Sequence, residues 1–212
     1  MMLTATSVIL VISALLLVWV KSIMSSIKIL ALQSLFLGIA CLALGAQTGS
    51  AEVYVMAVLT ILVKAILIPY ILAATMRKIN IRREAEKYIG RGVSLLLASG
   101  LVVFNYVVTE RLDFMLLGSE IQTLPHAVSM LLIGLFVMIT HKKAIMQGIG
   151  LIVIENGLFL LALSTALGMP FIVEIGIFLD VLVSVILISI LSYRMDQTFR
   201  SISTDWLRKL KG

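Results

Sequence analysis

Residues 144–166 read AIMQGIGLIVIENGLFLLALSTA, and Glu155 stands at the centre of this run with eleven residues on either side. So long an apolar stretch reads as a membrane-spanning helix, because a bilayer core takes about 20 such residues. A carboxylate at its middle costs roughly 2.5–3.5 kcal/mol on insertion scales. Such a group persists where it pairs, faces a wet interior or moves protons. Two other runs share the feature: VLTILVKAILIPYIL at 58–72 holds Lys64, and EIGIFLDVLVSVILISIL at 174–191 holds Asp180.

Working outward from these runs gives an all-α integral membrane protein. The 212 residues are 61% hydrophobic, with a mean hydropathy of +1.14, more apolar surface than a soluble domain of this size can bury. Seven transmembrane helices are expected at about 3–20, 27–46, 53–76, 92–109, 124–140, 144–166 and 171–192. The first lacks a basic leading segment and an A-x-A cleavage pattern, so it reads as a retained helix.

The connections alternate in charge. Lys21 and Lys28 flank the first, RKINIRREAEKYIGR forms the third, Lys142 and Lys143 lie in the fifth, and Arg194, Arg200, Arg208, Lys209 and Lys211 follow the seventh span. On the other side only Arg111 is basic, among Glu110, Asp113 and Glu120. The positive-inside rule then sets the N-terminus outside and the C-terminus in the cytoplasm. The net charge of +6 is thus a topology signal, and no nucleic-acid partner is expected. The basic third connection suits anionic lipid heads or a cytoplasmic partner. The tail places Phe199, Ile202, Trp206 and Leu210 at helical spacing, as an amphipathic helix at the inner surface would. Three regions result: an N-terminal membrane region at 1–123, a three-helix region at 124–195 and the tail at 196–212. The first three and last three spans share an orientation, so a 3+1+3 parallel repeat fits, with Gln33 and Gln147 in similar places.

Counting from the inner boundary, Lys64, Glu155 and Asp180 all lie roughly 16–21 Å deep at 1.5 Å per residue. One layer of charge suits a lateral proton relay, and equally a salt-bridged cluster. Pro69, five residues after Lys64, withholds the N–H that would bond the Ala65 carbonyl, which predicts a kink and an acceptor beside the lysine. Asn156 can hold a water or a neighbouring helix next to Glu155. The proton-transfer candidates are therefore Glu155, Asp180, Lys64 and Asn156. Glu174 and His126, at the outer ends of their spans, are candidates for proton exchange there; a helix-dipole role for Glu174 and a plain interfacial role for His126 are the alternatives. Cys41 stands alone, and His126 and His141 lie apart without metal-ligand spacing, so no disulfide, iron–sulfur or zinc site is expected. The Gly148–Gly150 pair in a span reads as close helix packing. No nucleophile–base pair marks an active site.

VKS at 20–22, ALQSL at 31–35, VKAILIP at 63–69, IENG at 154–157 and VEIGIFLD at 173–180 together carry a resemblance over most of the chain. The chain resembles component E of hydrogenase-4, a membrane subunit of group 4 [NiFe] hydrogenase and formate hydrogenlyase complexes. Residues 124–195 also look like the K subunit of complex I and the C subunit of multisubunit cation/proton antiporters. Asp180 matches a glutamate in the third helix of the K pattern. After I-G-L at 149–151, that pattern has glutamate at the place of Ile152; here the acid is Glu155, three residues on and ~4.5 Å along the helix. Asn156 matches an asparagine of the pattern. The resemblance implies a subunit of the prokaryotic inner membrane that links antiporter-like proton channels and other membrane subunits to a peripheral redox arm. Nickel–iron and iron–sulfur centres would sit in those partners, with no cofactor in this chain. Its share of the work would be proton translocation, or holding the helices that perform it. A purely structural adaptor with static ion pairs and a free-standing transporter are the competing readings.

Overall fold

A computed structural model of the protein describes residues 2–78, 85–116 and 123–165, together with Ile186. Within them the chain is helical: α1 (Met2–Trp19), α2 (Ile23–Thr48), α3 (Ala51–Leu59), α4 (Ile68–Lys78), α5 (Arg91–Leu116), α6 (Leu124–Thr140) and α7 (Ala144–Thr165). A π-helical segment, Thr60–Leu67, joins α3 to α4, and the three run on as one rod, the third span. Among the described residues four rods are long and apolar enough to cross a membrane: α2, the third span, α5 and α7; α1 and α6 are shorter apolar helices. This is the architecture of a helical membrane protein. The seventh predicted span, with Glu174 and Asp180, and the tail with Phe199, Ile202, Trp206 and Leu210 lie outside the described residues.

The ends of the helices follow from local chemistry. Gly49 closes α2 in the left-handed region at φ 67°, which costs a side-chain-bearing residue far more, and its N–H returns to the Gly45 carbonyl. Pro125 sits in the first turn of α6, where its missing N–H has no helical partner to lose. The sequence expectation ended the fourth span near 109, but α5 continues to Leu116. Glu110, Arg111 and Asp113 are therefore helical residues rather than loop residues, because charge stops hydrocarbon burial without stopping a helix.

Packing is tightest between α6 and α7. A Cβ on Gly150 would stand 2.8 Å from the Gly134 carbonyl oxygen, and one on Gly134 2.7 Å from that of Gly150. The two backbones meet because neither residue has a side chain. Gly157 continues the seam against the Ala127 carbonyl. The third span packs on α2, and α2 packs on α1 and α7. Outward faces are apolar, as Leu96 (72% exposed), Phe104 (65%) and Ile139 (74%) show.

Connections at one end are tied together. Ala85 N–H donates to the Lys21 carbonyl, Tyr88 N–H to that of Thr140, and Lys142 N–H to that of Glu86. Lys87 Nζ donates to the Val18 carbonyl at the end of α1. Residues 85–90 of the third connection thus form a clasp across the ends of α1 and α6. The clasp brings Lys21, Lys87, Lys142 and Lys143 to one end, as the alternating charge of the connections requires.

Candidate functional site: a buried ion pair at a π-helical turn

The third span widens where Lys64 sits. An α-helix bonds each N–H four residues back, yet Ile68 N–H donates five back, to the Val63 carbonyl. The next residue, Pro69, has no N–H, so the wide register ends there. Sequence leads one to expect a proline kink and an open Ala65 carbonyl; what the span shows there is eight residues of π-helix, Thr60–Leu67. Such turns are rare and concentrate at functional sites.

Lys64 is 1% exposed, and its ammonium lies 2.7 Å from Glu155 Oε1 on α7, itself 4% exposed. Lys64 also donates to Asn156 Oδ1 at 3.5 Å, a long bond. The face of Phe159, one turn beyond Glu155, stands 5.2 Å from the ammonium, within reach of a cation–π attraction. Carboxylate, amide oxygen and ring thus form three sides around one cation. Glu155, Asn156 and Phe159 can reach it because Gly150 and Gly157 hold α7 to α6 along a different seam. The pair is incompletely satisfied: among the described residues, Glu155 Oε2 and Asn156 Nδ2 have no hydrogen-bond partner.

The structure brings Lys64, Glu155 and Asn156 together. It places His126 elsewhere, 9% exposed at the start of α6 and edge-on to Tyr106, with ring centroids 5.5 Å apart. Nearby, Asn105 Nδ2 donates to the Pro125 carbonyl (2.7 Å) and to Ser129 Oγ (2.9 Å), fixing α5 on α6. Phe159 and Thr60 were missed from sequence. Both lie four residues from a charged member of the pair, which is the spacing that could have found them.

A second polar cluster lies at the clasp, outside the spans. The buried His141 ring bonds the Val137 carbonyl through Nδ1 at 2.8 Å. Burial pushes its pKa down to about 4, against that bond and with help from the Lys87 charge. Burial, then Arg91, pulls Lys87 down to about 8. Among the described residues no three His, Cys, Asp or Glu side chains group so as to hold a metal ion.

No protein-family model matches the chain, and no solved structure matches it. It is 30% identical over 203 residues to the uncharacterized protein Rv0085 of Mycobacterium tuberculosis, covering 95% of this chain and 92% of that protein. The similarity runs nearly end to end in both, and the chain belongs to the family of that mycobacterial protein.

Proposed function

We propose that this chain is a membrane subunit of a redox-driven, proton-translocating complex of the complex I and group 4 hydrogenase type. It contributes midplane charged residues to a lateral proton path and links antiporter-like subunits to the redox arm. The observation that carries the reading is the Lys64–Glu155 pair: an acid and a base in contact at 2.7 Å, deep inside the bundle, at a π-helical turn. A pair kept only for stability needs its remaining lone pairs and protons satisfied to repay desolvation. Here Glu155 Oε2 and Asn156 Nδ2 are left over among the described residues, as suits groups that exchange a proton. Asp180 would continue the path on the seventh span.

In this reading the protein has seven spans, with its N-terminus outside and the clasp of lysines on the cytoplasmic side of a prokaryotic inner membrane. The mycobacterial relative is compatible with that location. Any nickel–iron and iron–sulfur centres would belong to partner subunits. A second reading, a structural adaptor with a static pair, draws support from the Phe159 ring, which adds a fixed third side to the ammonium. Isolating the chain from native membranes in mild detergent tests the assignment. Antiporter-like subunits and an iron-containing redox arm should come with it. A solitary monomer that conducts ions in liposomes would instead mean a free-standing transporter.

A further inference from the structure

Buried hydroxyls in this bundle follow a habit, and three depart from it by having no partner among the described residues. Ser7, Ser13, Thr75 and Thr140 each donate to a carbonyl three or four residues back in their own helix, the usual solution in an apolar setting. Ser94 on α5, Ser34 on α2 and Thr60 on the third span, all 0% exposed, make no hydrogen bond among the described residues. Ser94 stands apart, whereas the backbone register brings Ser34 and Thr60 to one level. Cys41 Sγ reaches the Val53 carbonyl, and the space beside Gly38 is filled by Ile61 and bordered by the Ala57 carbonyl. α2 therefore runs antiparallel to the third span, and Ser34, one turn from Gly38 on the same face, falls opposite Thr60–Lys64. Ser34 is eleven residues into α2 from Ile23, and Glu155 eleven into α7 from Ala144. Both helices start from the clasp end, so both residues lie about 16 Å in. Gln33 Oε1, Glu155 Oε2 and Asn156 Nδ2 are likewise buried without a partner among the described residues.

We infer that Ser34, Thr60, Asn156 and Glu155 line a site for bound water beside the Lys64–Glu155 pair, extending the polar layer from α7 to α2. The chemistry of the leftover atoms selects the ligand. Glu155 Oε2 and Gln33 Oε1 only accept, Asn156 Nδ2 only donates, and the two hydroxyls do either. Water meets both needs, with two to four partners in the usual range. A bare monovalent cation would meet the acceptors and repel the amide donor. Lys64 already supplies the cation the carboxylate needs. The inference deepens the proposed proton-path role but does not require that protons move.

Infrared spectra of the purified full-length chain in lipid nanodiscs, taken in ordinary water and in oxygen-18 water, test it. The wild type should show water-stretch bands that shift with the isotope. Ser34→Ala/Thr60→Val should lose at least half of their intensity. Ser129→Ala, whose hydroxyl pairs with Asn105, should keep them. If the double variant loses helicity by circular dichroism, Ser34→Ala alone is read and should show a partial loss. The absence of isotope-sensitive bands in the wild type, bands unchanged in a fully helical variant, or bands displaced by sodium would each overturn the assignment. Bands that behave as expected in a protein that moves no protons would refute the functional reading alone.

Discussion

Lys64 and Glu155 lie 91 positions apart in sequence and 2.7 Å apart in space, sealed from solvent at 1% and 4% exposure. Removing one member of such a pair strands the other charge in a low-dielectric interior, at a cost of about 3–5 kcal/mol. Removing both leaves no stranded charge.

Lys64→Met and Glu155→Gln should therefore each destabilise the bundle by about 3–5 kcal/mol, and the double variant by clearly less than their sum. Reversible unfolding in mixed micelles measures this. Strict additivity would mean that the two groups do not interact.

The α6–α7 seam predicts a contrast between two glycines. Gly150→Ala puts a methyl 2.8 Å from the Gly134 carbonyl oxygen, so the helices must separate, at about 1–3 kcal/mol. Gly100 on α5 has nothing within 4 Å of a Cβ. Gly100→Ala should be neutral or add about 0.5–1 kcal/mol of helix stability. The same unfolding assay separates the two.

The wide turn depends on the proline that ends it. Pro69→Ala restores an N–H just past the Ile68–Val63 bond, letting the span relax toward α-helical register. Lys64 would then rotate on the rod, and its coupling to Glu155 should fall by at least half in a double-mutant cycle run on the Pro69→Ala background. Undiminished coupling would mean that the turn does not position the lysine.

His141 gives the clasp a pH dependence whose sign is fixed. Its pKa is lowered from 6.5 to about 4 in the fold, so between those values the unfolded chain binds more protons. Stability contributed by the neutral ring is present above 6.5 and is lost as pH falls toward 4. His141→Asn keeps a donor for the Val137 carbonyl and removes the titration. The difference in unfolding free energy between wild type and variant should shrink or reverse across that window and stay flat above pH 7.

The helical scaffold was legible because hydrophobic runs with charged ends leave little choice: 124–140 and 144–166 were read to within a residue of α6 and α7. The end of α5 was not, since Glu110, Arg111 and Asp113 mark where hydrocarbon ends rather than where hydrogen bonding does. Depth counting put Lys64 and Glu155 in one layer, but depth carries no azimuth, and only packing shows that they touch. The π-helical turn left no periodic trace; Pro69 hinted at a disturbance without giving its form. Phe159 lies one turn from Glu155, a spacing that puts both on one face without telling whether that face meets Lys64 or lipid. That Ser34 and Thr60 have no partner among the described residues lies in the packing, where the sequence offers only two ordinary hydroxyls.

Glu155→Gln, introduced into the intact complex, bears most directly on whether the buried pair handles protons. Proton release coupled to electron transfer would be followed in inverted membrane vesicles, with subunit content checked on the same sample. The expected result is full assembly, retained electron transfer and proton release reduced at least tenfold. A fully assembled Glu155→Gln complex that translocates protons at the wild-type ratio would contradict it and leave Lys64 and Glu155 as a structural clamp.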